Sequence, residues 1–221
     1  MIPVLIGVTL LIFAITQLFD PYMRASLYIR DPRQAKNIEG IIRKYGLDQP
    51  IYIQYFRWLD QVLHGNLGWS QSIHMPVLDA LLTRFPATAE LALYAAPLTI
   101  IIGIILGKLA AVKKDTAIDH ITRIMAIVGW SLPSFWLGIM LLAVFYGGLG
   151  IFSPGRLSTW AENLVLSGEF KVYTGLYTID AILNLNGAVL LDALSHLVLP
   201  VTTLVIINMA LLMRIMRSSM L

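Results

Sequence analysis

The sequence has no cysteine among its 221 residues. That excludes disulfide scaffolds, thiol nucleophiles and cysteine-ligated metal sites together. Charge is also scarce: Asp, Glu, Lys and Arg make up 13% of the chain, against about 25% in a typical soluble domain. The formal net charge is +3, and the sixteen basic residues are scattered along loops instead of forming a stripe, so no nucleic-acid footprint is present. Met1 to Phe19 carries no charge at all. A signal peptide would show a basic leader and a small-residue cleavage site before Asp20, and neither is there. The stretch reads as a retained membrane span, and its missing leader points to a clipped N-terminus.

What the chain has is long apolar runs. Leu91–Gly107 is seventeen residues without charge, followed by Lys108, Lys113 and Lys114. With the next turn and a snorkelling Lys108 it is long enough to cross about 30 Å of hydrocarbon as a helix. Ile124 opens another uncharged stretch. The expected fold class is therefore all-α: a polytopic membrane protein with four transmembrane helices at 1–19, 91–112, 124–147 and 193–213. The hinge 113–123 is a tight turn whose lysines place it in the cytoplasm by the positive-inside rule. The N-terminus then also lies in the cytoplasm, 20–85 and 148–192 lie outside, and 214–221 returns inside.

The segment 20–85 holds eight Lys/Arg, half of the total, but a segment longer than about 60 residues translocates regardless of charge. It reads as helical. Asp31-Pro32 starts one helix and Gly46 stops it, and Asp48 and Pro50 start a second that ends at Gly65. In that second helix Tyr55, Leu59, Val62 and Leu63 share a face. Pro76 opens a third short helix with Val77, Leu78, Leu81 and Leu82 inward. Such a segment is either a cap over the bundle or a docking surface for a partner. Its aromatic residues suit sugar stacking and ordinary packing equally.

Within the spans, Gly103 and Gly107 form a small-xxx-small pair that lets a neighbouring helix approach. Pro133, between Ser131 and Ser134, predicts a bend, as does Pro200. Trp130 and Trp136 serve as packing bulk or line a pathway. Asn208 is expected to hydrogen-bond across helices, and His196 to share an interfacial hydrogen bond with Asp192. The segment 148–192 reads as an irregular loop with some helix. The spans hold almost no ionisable side chain, so neither ion coupling nor an intramembrane hydrolase is supported. Uphill movement of a solute would draw its energy from a partner.

Several phrases carry a resemblance. They are Tyr45-Gly-Leu-Asp-Gln-Pro50, Gln54-Tyr55 with Trp58-Leu59, Gly65-Asn-Leu-Gly68 with Ser70, and Arg84-Phe-Pro-Ala-Thr88 before Glu90-Leu91. Further on come Leu109-Ala-Ala-Val-Lys113, Ser131-Leu-Pro-Ser-Phe-Trp136, Pro154-Gly-Arg156, Asp192-Ala with His196, Leu199-Pro200 and Arg217-Ser-Ser-Met-Leu221. In this order and over the whole chain they resemble the first of the two membrane subunits of dipeptide/oligopeptide/nickel-type ABC importers.

The resemblance implies a six-span permease half lacking its C-terminal third and situated in the cell membrane. Its implied partners are a homologous second permease subunit, two cytoplasmic ATPase subunits that hold ATP and magnesium, and an external substrate-binding protein. No cofactor, metal or catalytic residue is implied in this chain, which is a non-catalytic subunit. Peptides are the default cargo, with oligosaccharides or a chelated metal such as nickel as alternatives. The competing class is a membrane scaffold binding a partner through 20–85. The expected pathway residues are Ser131, Ser134 and Asn208. Tyr45, Gln54, Trp58, Asn66 and Trp69 are expected to meet the binding protein, and Lys113, Lys114 and Arg217 an ATPase. Asn66 departs from the family, which usually carries Asp there.

Overall fold

A computed structural model describes residues 1–26, 28–29 and 36–220. The helix start expected at Asp31-Pro32 lies outside the described residues. The chain divides into two compact units, Met1–Arg84 and Phe85–Leu221.

The first unit opens with the apolar helix α1 (Ile2–Thr16). At about 1.5 Å per residue its fifteen residues reach about 22 Å, short of a hydrocarbon core of about 30 Å. Asp20 then caps α2 (Pro21–Ser26) by accepting from the Met23 amide at 2.8 Å. Helix α3 (Ile38–Tyr45) is capped by Asn37, whose side chain accepts from the Gly40 amide. It stops at Gly46, where φ is +64°. The Leu47 amide reaches the Ile42 carbonyl and the Gly46 amide the Arg43 carbonyl, the paired bonds of a Schellman stop that glycine makes at low strain. Helix α4 (Ile51–Leu63) follows Pro50. Its expected face is only partly right. Tyr55, Leu59 and Val62 are half-buried, Leu63 is exposed and Gln54 is buried. The unit's small core joins Ala25, Ile42 and Leu47, with Tyr28, Ile38, Ile41 and Tyr45 packed against it.

A two-residue hairpin, β1 (Trp69–Ser70) against β2 (Met75–Pro76), precedes α5 (Val77–Val112). The expected short third helix does not exist as such, because it runs without a break into the second expected span. Pro86 and Pro97 sit inside α5, each forfeiting one hydrogen bond in a ladder long enough to absorb it. Leu78, Leu81 and Leu82, expected inward, are exposed, and only Val77 of that set is half-buried.

In the second unit, residues 113–116 turn the chain and α6 (Ala117–Ser131) returns. The stretch expected as one span from 124 to 147 is broken. Helix α7 (Ser134–Leu142) and its π-helical continuation Ala143–Gly148 leave α6 at 101° across Leu132-Pro133. Proline biases the preceding residue away from helical angles, and Leu132 is extended, with ψ at 127°. The expected irregular loop contains α8 (Thr159–Leu166) and α9 (Tyr177–Leu183) with a core of its own, Leu157, Ala161, Phe170, Ala181, Val189 and Ala193. Helix α10 (Gly187–Met220) begins six residues before the expected span and continues through Pro200.

A second core joins Ala95 of α5 and Ala126 of α6 to Val201, Val205, Met209, Ala210 and Met213 of α10. Small residues allow this approach. A Cβ on Gly103 would lie 2.7 Å from Leu212 Cβ, one on Gly107 2.9 Å from the Met213 carbonyl, and one on Gly129 2.8 Å from the Ile206 carbonyl. Among the described residues two helices, α5 and α10, are long and apolar enough to cross a membrane, and the bent α6–α7 pair makes up to three crossings. The molecule is a helical membrane protein.

Candidate functional site

Among the described residues three clusters of buried charge stand out. The first lies at the start of α6. Asp119 is 0% exposed and accepts from Arg217 Nε at 2.8 Å and Arg217 NH2 at 2.9 Å, the two-pronged geometry that suits guanidinium and carboxylate. The Asp115 amide donates to it at 3.1 Å, and Arg123 lies 3.5 Å away. Asp115 itself takes φ of +61°, a left-handed angle that Asp tolerates. The Arg217 hydrogen bond, ahead of the Asp115 amide and the Arg123 charge, holds the Asp119 carboxyl down at about 2 despite burial. The same bond raises Arg217. The pair ties α6 to α10 across 98 residues of sequence.

The second cluster joins α5 to the segment between α7 and α10. Glu90, 3% exposed, accepts from Arg156 at 2.7 Å, from the Thr178 amide at 2.7 Å and from the Thr178 hydroxyl at 2.9 Å. Arg156 also donates to the Gly175 carbonyl and lies 4.1 Å over the Tyr177 ring. Beside it the fully buried Asp180 gathers the amides of Tyr173, Thr174 and Gly175 and the Thr174 hydroxyl. Asp192 holds Ser158 by its amide and hydroxyl. His196 Nδ1 meets the Asp192 backbone carbonyl at 2.8 Å, while the Asp192 carboxylate is 3.8 Å away.

The third cluster is in the first unit. Arg24, 9% exposed, donates to Gln17 Oε1 at 2.6 Å, Gln54 Oε1 at 2.5 Å and the Leu47 carbonyl at 3.1 Å. It lines a cavity of about 140 Å³ together with Tyr28, Tyr45, Gln54 and Trp58. Burial pushes the Tyr28 phenol up, the neighbouring Tyr45 adds to the shift and Arg24 opposes it.

The expected site residues fall as follows. Tyr45, Gln54 and Trp58 share this cavity, and Tyr45, Asn66 and Trp69 line a smaller hollow beside it. Ser131, Ser134 and Asn208 are exposed. Ser131 donates to the Ile127 carbonyl, one turn back along α6. Asn208 does not bond across helices: its amide donates to the Leu204 carbonyl of its own helix at 2.7 Å, a local partner always within reach. Trp130 and Trp136 are outside the core, with Arg214 5.5 Å over the Trp130 ring. Lys113 and Lys114 are exposed in the turn, while Arg217 is committed to Asp119. Sequence reasoning missed Arg24, Glu90, Asp119 and Asp180. No spacing signals them, because partners up to 98 residues apart leave no periodic trace.

Long apolar helices joined by buried ion pairs, with no charge between Leu91 and Gly107, define a helical membrane protein. Residues 77–221 match the binding-protein-dependent transport system inner membrane component family, and the chain belongs to it. This is the family that the phrases above pointed to. The chain is similar to a probable D,D-dipeptide transport system permease protein of Escherichia coli K12, 42% identical over 221 residues, covering 99% of this chain and 62% of that protein. It is also similar to a dipeptide transport system permease protein of the same organism, 35% identical, covering 100% of this chain and 64% of that protein. An oligopeptide transport system permease protein of Bacillus subtilis 168 is 32% identical over 100% of this chain and 62% of its own length. The chain thus spans 62% to 64% of the length of these relatives.

Proposed function

We propose that the chain is part of the permease subunit of an ATP-driven importer, forming half of a pathway for peptides handed over by an external binding protein. The observation that carries this reading is the family match over 77–221 together with relatives named as dipeptide and oligopeptide permeases. In this reading α1, α5, the α6–α7 pair and α10 make four crossings with the N-terminus in the cytoplasm. The short α1 is completed by the apolar residues up to Phe19. A homologous second permease subunit closes the pathway, and Ser131, Ser134 and Asn208 face it as exposed polar groups of the apolar helices. Two ATPases hydrolyse ATP with magnesium and push from the cytoplasmic side against the 113–116 turn. The Asp119–Arg217 pair makes that turn rigid enough to transmit the push to α10. Tyr45, Trp58, Asn66 and Trp69 meet the binding protein, and the buried Gln54 supports them from behind through Arg24 and Leu47.

The test is affinity capture of the tagged protein from its native membrane in mild detergent, with ATP hydrolysis assayed in the eluate. Co-eluting hydrolysis that falls when Lys113 and Lys114 are both changed to Glu is the expected result. An eluate without any ATPase would favour the scaffold reading. Stimulation by an oligosaccharide or a nickel chelate, and not by peptides, would reassign the cargo.

A further inference from the structure

Among the described residues Arg24 is a buried cation without a counter-ion: no carboxylate stands within ion-pair distance of it, and its Nε donates to nothing. Its partners are neutral oxygens of Gln17, Gln54 and Leu47. Their placement is built in. Gln54 uses its own amide hydrogens on the Leu47 and Gln49 carbonyls at 3.1 and 2.5 Å, which fixes its Oε1 towards Arg24. Carbonyl dipoles satisfy hydrogen bonds but leave the charge unbalanced, and a water molecule in the cavity would do no more. The guanidinium edge made by Nε and NH2 is the edge that Arg217 uses on Asp119. On Arg24 the Nε half of that edge is unused. The cavity beside it is walled by Tyr28, Tyr45, Trp58 and Phe13, with Tyr28 and Tyr45 stacked at 4.1 Å.

We propose that this cavity is a binding site for a small organic carboxylate. Arg24 supplies the compensating charge, and its Nε, buried as the guanidinium now sits, joins NH2 as a planar pair of donors for two carboxylate oxygens once the guanidinium turns towards the cavity. The aromatic walls pack the apolar remainder of the ligand. A tetrahedral phosphate fits less well, since one guanidinium edge serves two oxygens and leaves the rest unmet. The site belongs to this chain alone and stands whether or not the transport reading holds.

The probe is propionate, added to the purified protein in maltoside micelles at constant ionic strength with chloride as the balancing anion. Tryptophan emission and the unfolding midpoint are followed in parallel. Propionate is expected to change the emission saturably, with half-saturation on the order of millimolar for so small a ligand. It also raises the unfolding midpoint, as any ligand of the folded state does. Trp58→Phe removes the emission change and, because Trp58 also walls the cavity, reduces the midpoint shift without abolishing it, which assigns the signal to the cavity. Propionamide, equal in shape and uncharged, produces neither effect. Arg24→Lys retains the charge and loses the planar fork, weakening propionate binding at least tenfold. Arg24→Gln abolishes binding, and if that variant does not fold, the Lys variant and the propionamide arm decide alone. Equal responses to propionate and propionamide, no saturable response, or unchanged binding in Arg24→Lys would overturn the proposal. Inorganic phosphate matching propionate would overturn the carboxylate assignment and make the site a general oxyanion or lipid-phosphate site.

Discussion

The two units handle buried charge in opposite ways. In the second, every buried carboxylate described above is surrounded by donors: Asp119 has Arg217, Arg123 and the Asp115 amide, and Glu90 has Arg156 and Thr178. In the first, Arg24 is buried against neutral oxygens beside a cavity. A buried pair contributes little net stability over a well-packed apolar substitute, yet breaking one leaves an orphaned charge and is costly. Pairs therefore act as fasteners that fix one arrangement of helices. Among the described residues Arg24 has no such pair, and the carboxylate proposed above would complete its balance.

This contrast can be tested by removing fasteners in turn. The largest effect is expected for Glu90→Ala, which strands Arg156 and two Thr178 donors. Because Arg156 is 34% exposed and partly screened, the loss is about 2–3 kcal/mol, read from chemical unfolding in detergent. Gly107→Leu comes next. Its side chain would drive into the Met213 carbonyl and Met216 Cβ, and overpacking of this kind costs about 1–3 kcal/mol, together with a lower yield of folded protein. Unchanged stability would show that α5 and α10 do not meet there.

The Asp119–Arg217 pair gives a pH signature. The Asp119 pKa is lowered in the folded state from 3.8 to about 2, so its stabilisation is fully present above about pH 4. It is lost as pH falls from there through about 2. Asp119→Asn should flatten the stability profile in that window and leave it unchanged in shape above pH 5. A parental profile already flat between pH 4 and 2 would dissolve the pair as a fastener. Smallest of all, Asn208→Ala should change stability by less than about 0.5 kcal/mol, because the amide is exposed and bonds only within α10. A larger loss would restore the cross-helix role first expected for it.

The apolar runs were legible from residue type alone, since seventeen uncharged residues between Leu91 and Gly107 have few other fates. Gly46 was legible as a stop because a left-handed turn favours glycine. Proline was the least legible residue. Pro86 and Pro97 lie inside the continuous α5 and Pro200 inside α10, whereas Pro133, expected to bend a single span, breaks it at 101°. The same residue has opposite outcomes because the neighbouring packing, not the ring, decides whether one lost hydrogen bond ends a helix. Of the expected site residues, Tyr45, Gln54 and Trp58 do line one cavity, but the arginine at its heart was invisible. Arg24 lies in a segment whose basic residues all looked alike, and only burial sets it apart.

In the proposed function the buried charges of the helical unit, Glu90, Asp119 and Arg217, fasten helices, and the energy for transport enters from outside the chain. Uptake of labelled peptide into proteoliposomes carrying the complete transport assembly tests this most directly. Uptake is predicted with ATP available to the ATPases and no ion gradient, and none is predicted with a proton or sodium gradient and no ATP. Gradient-driven uptake in the absence of nucleotide would contradict it.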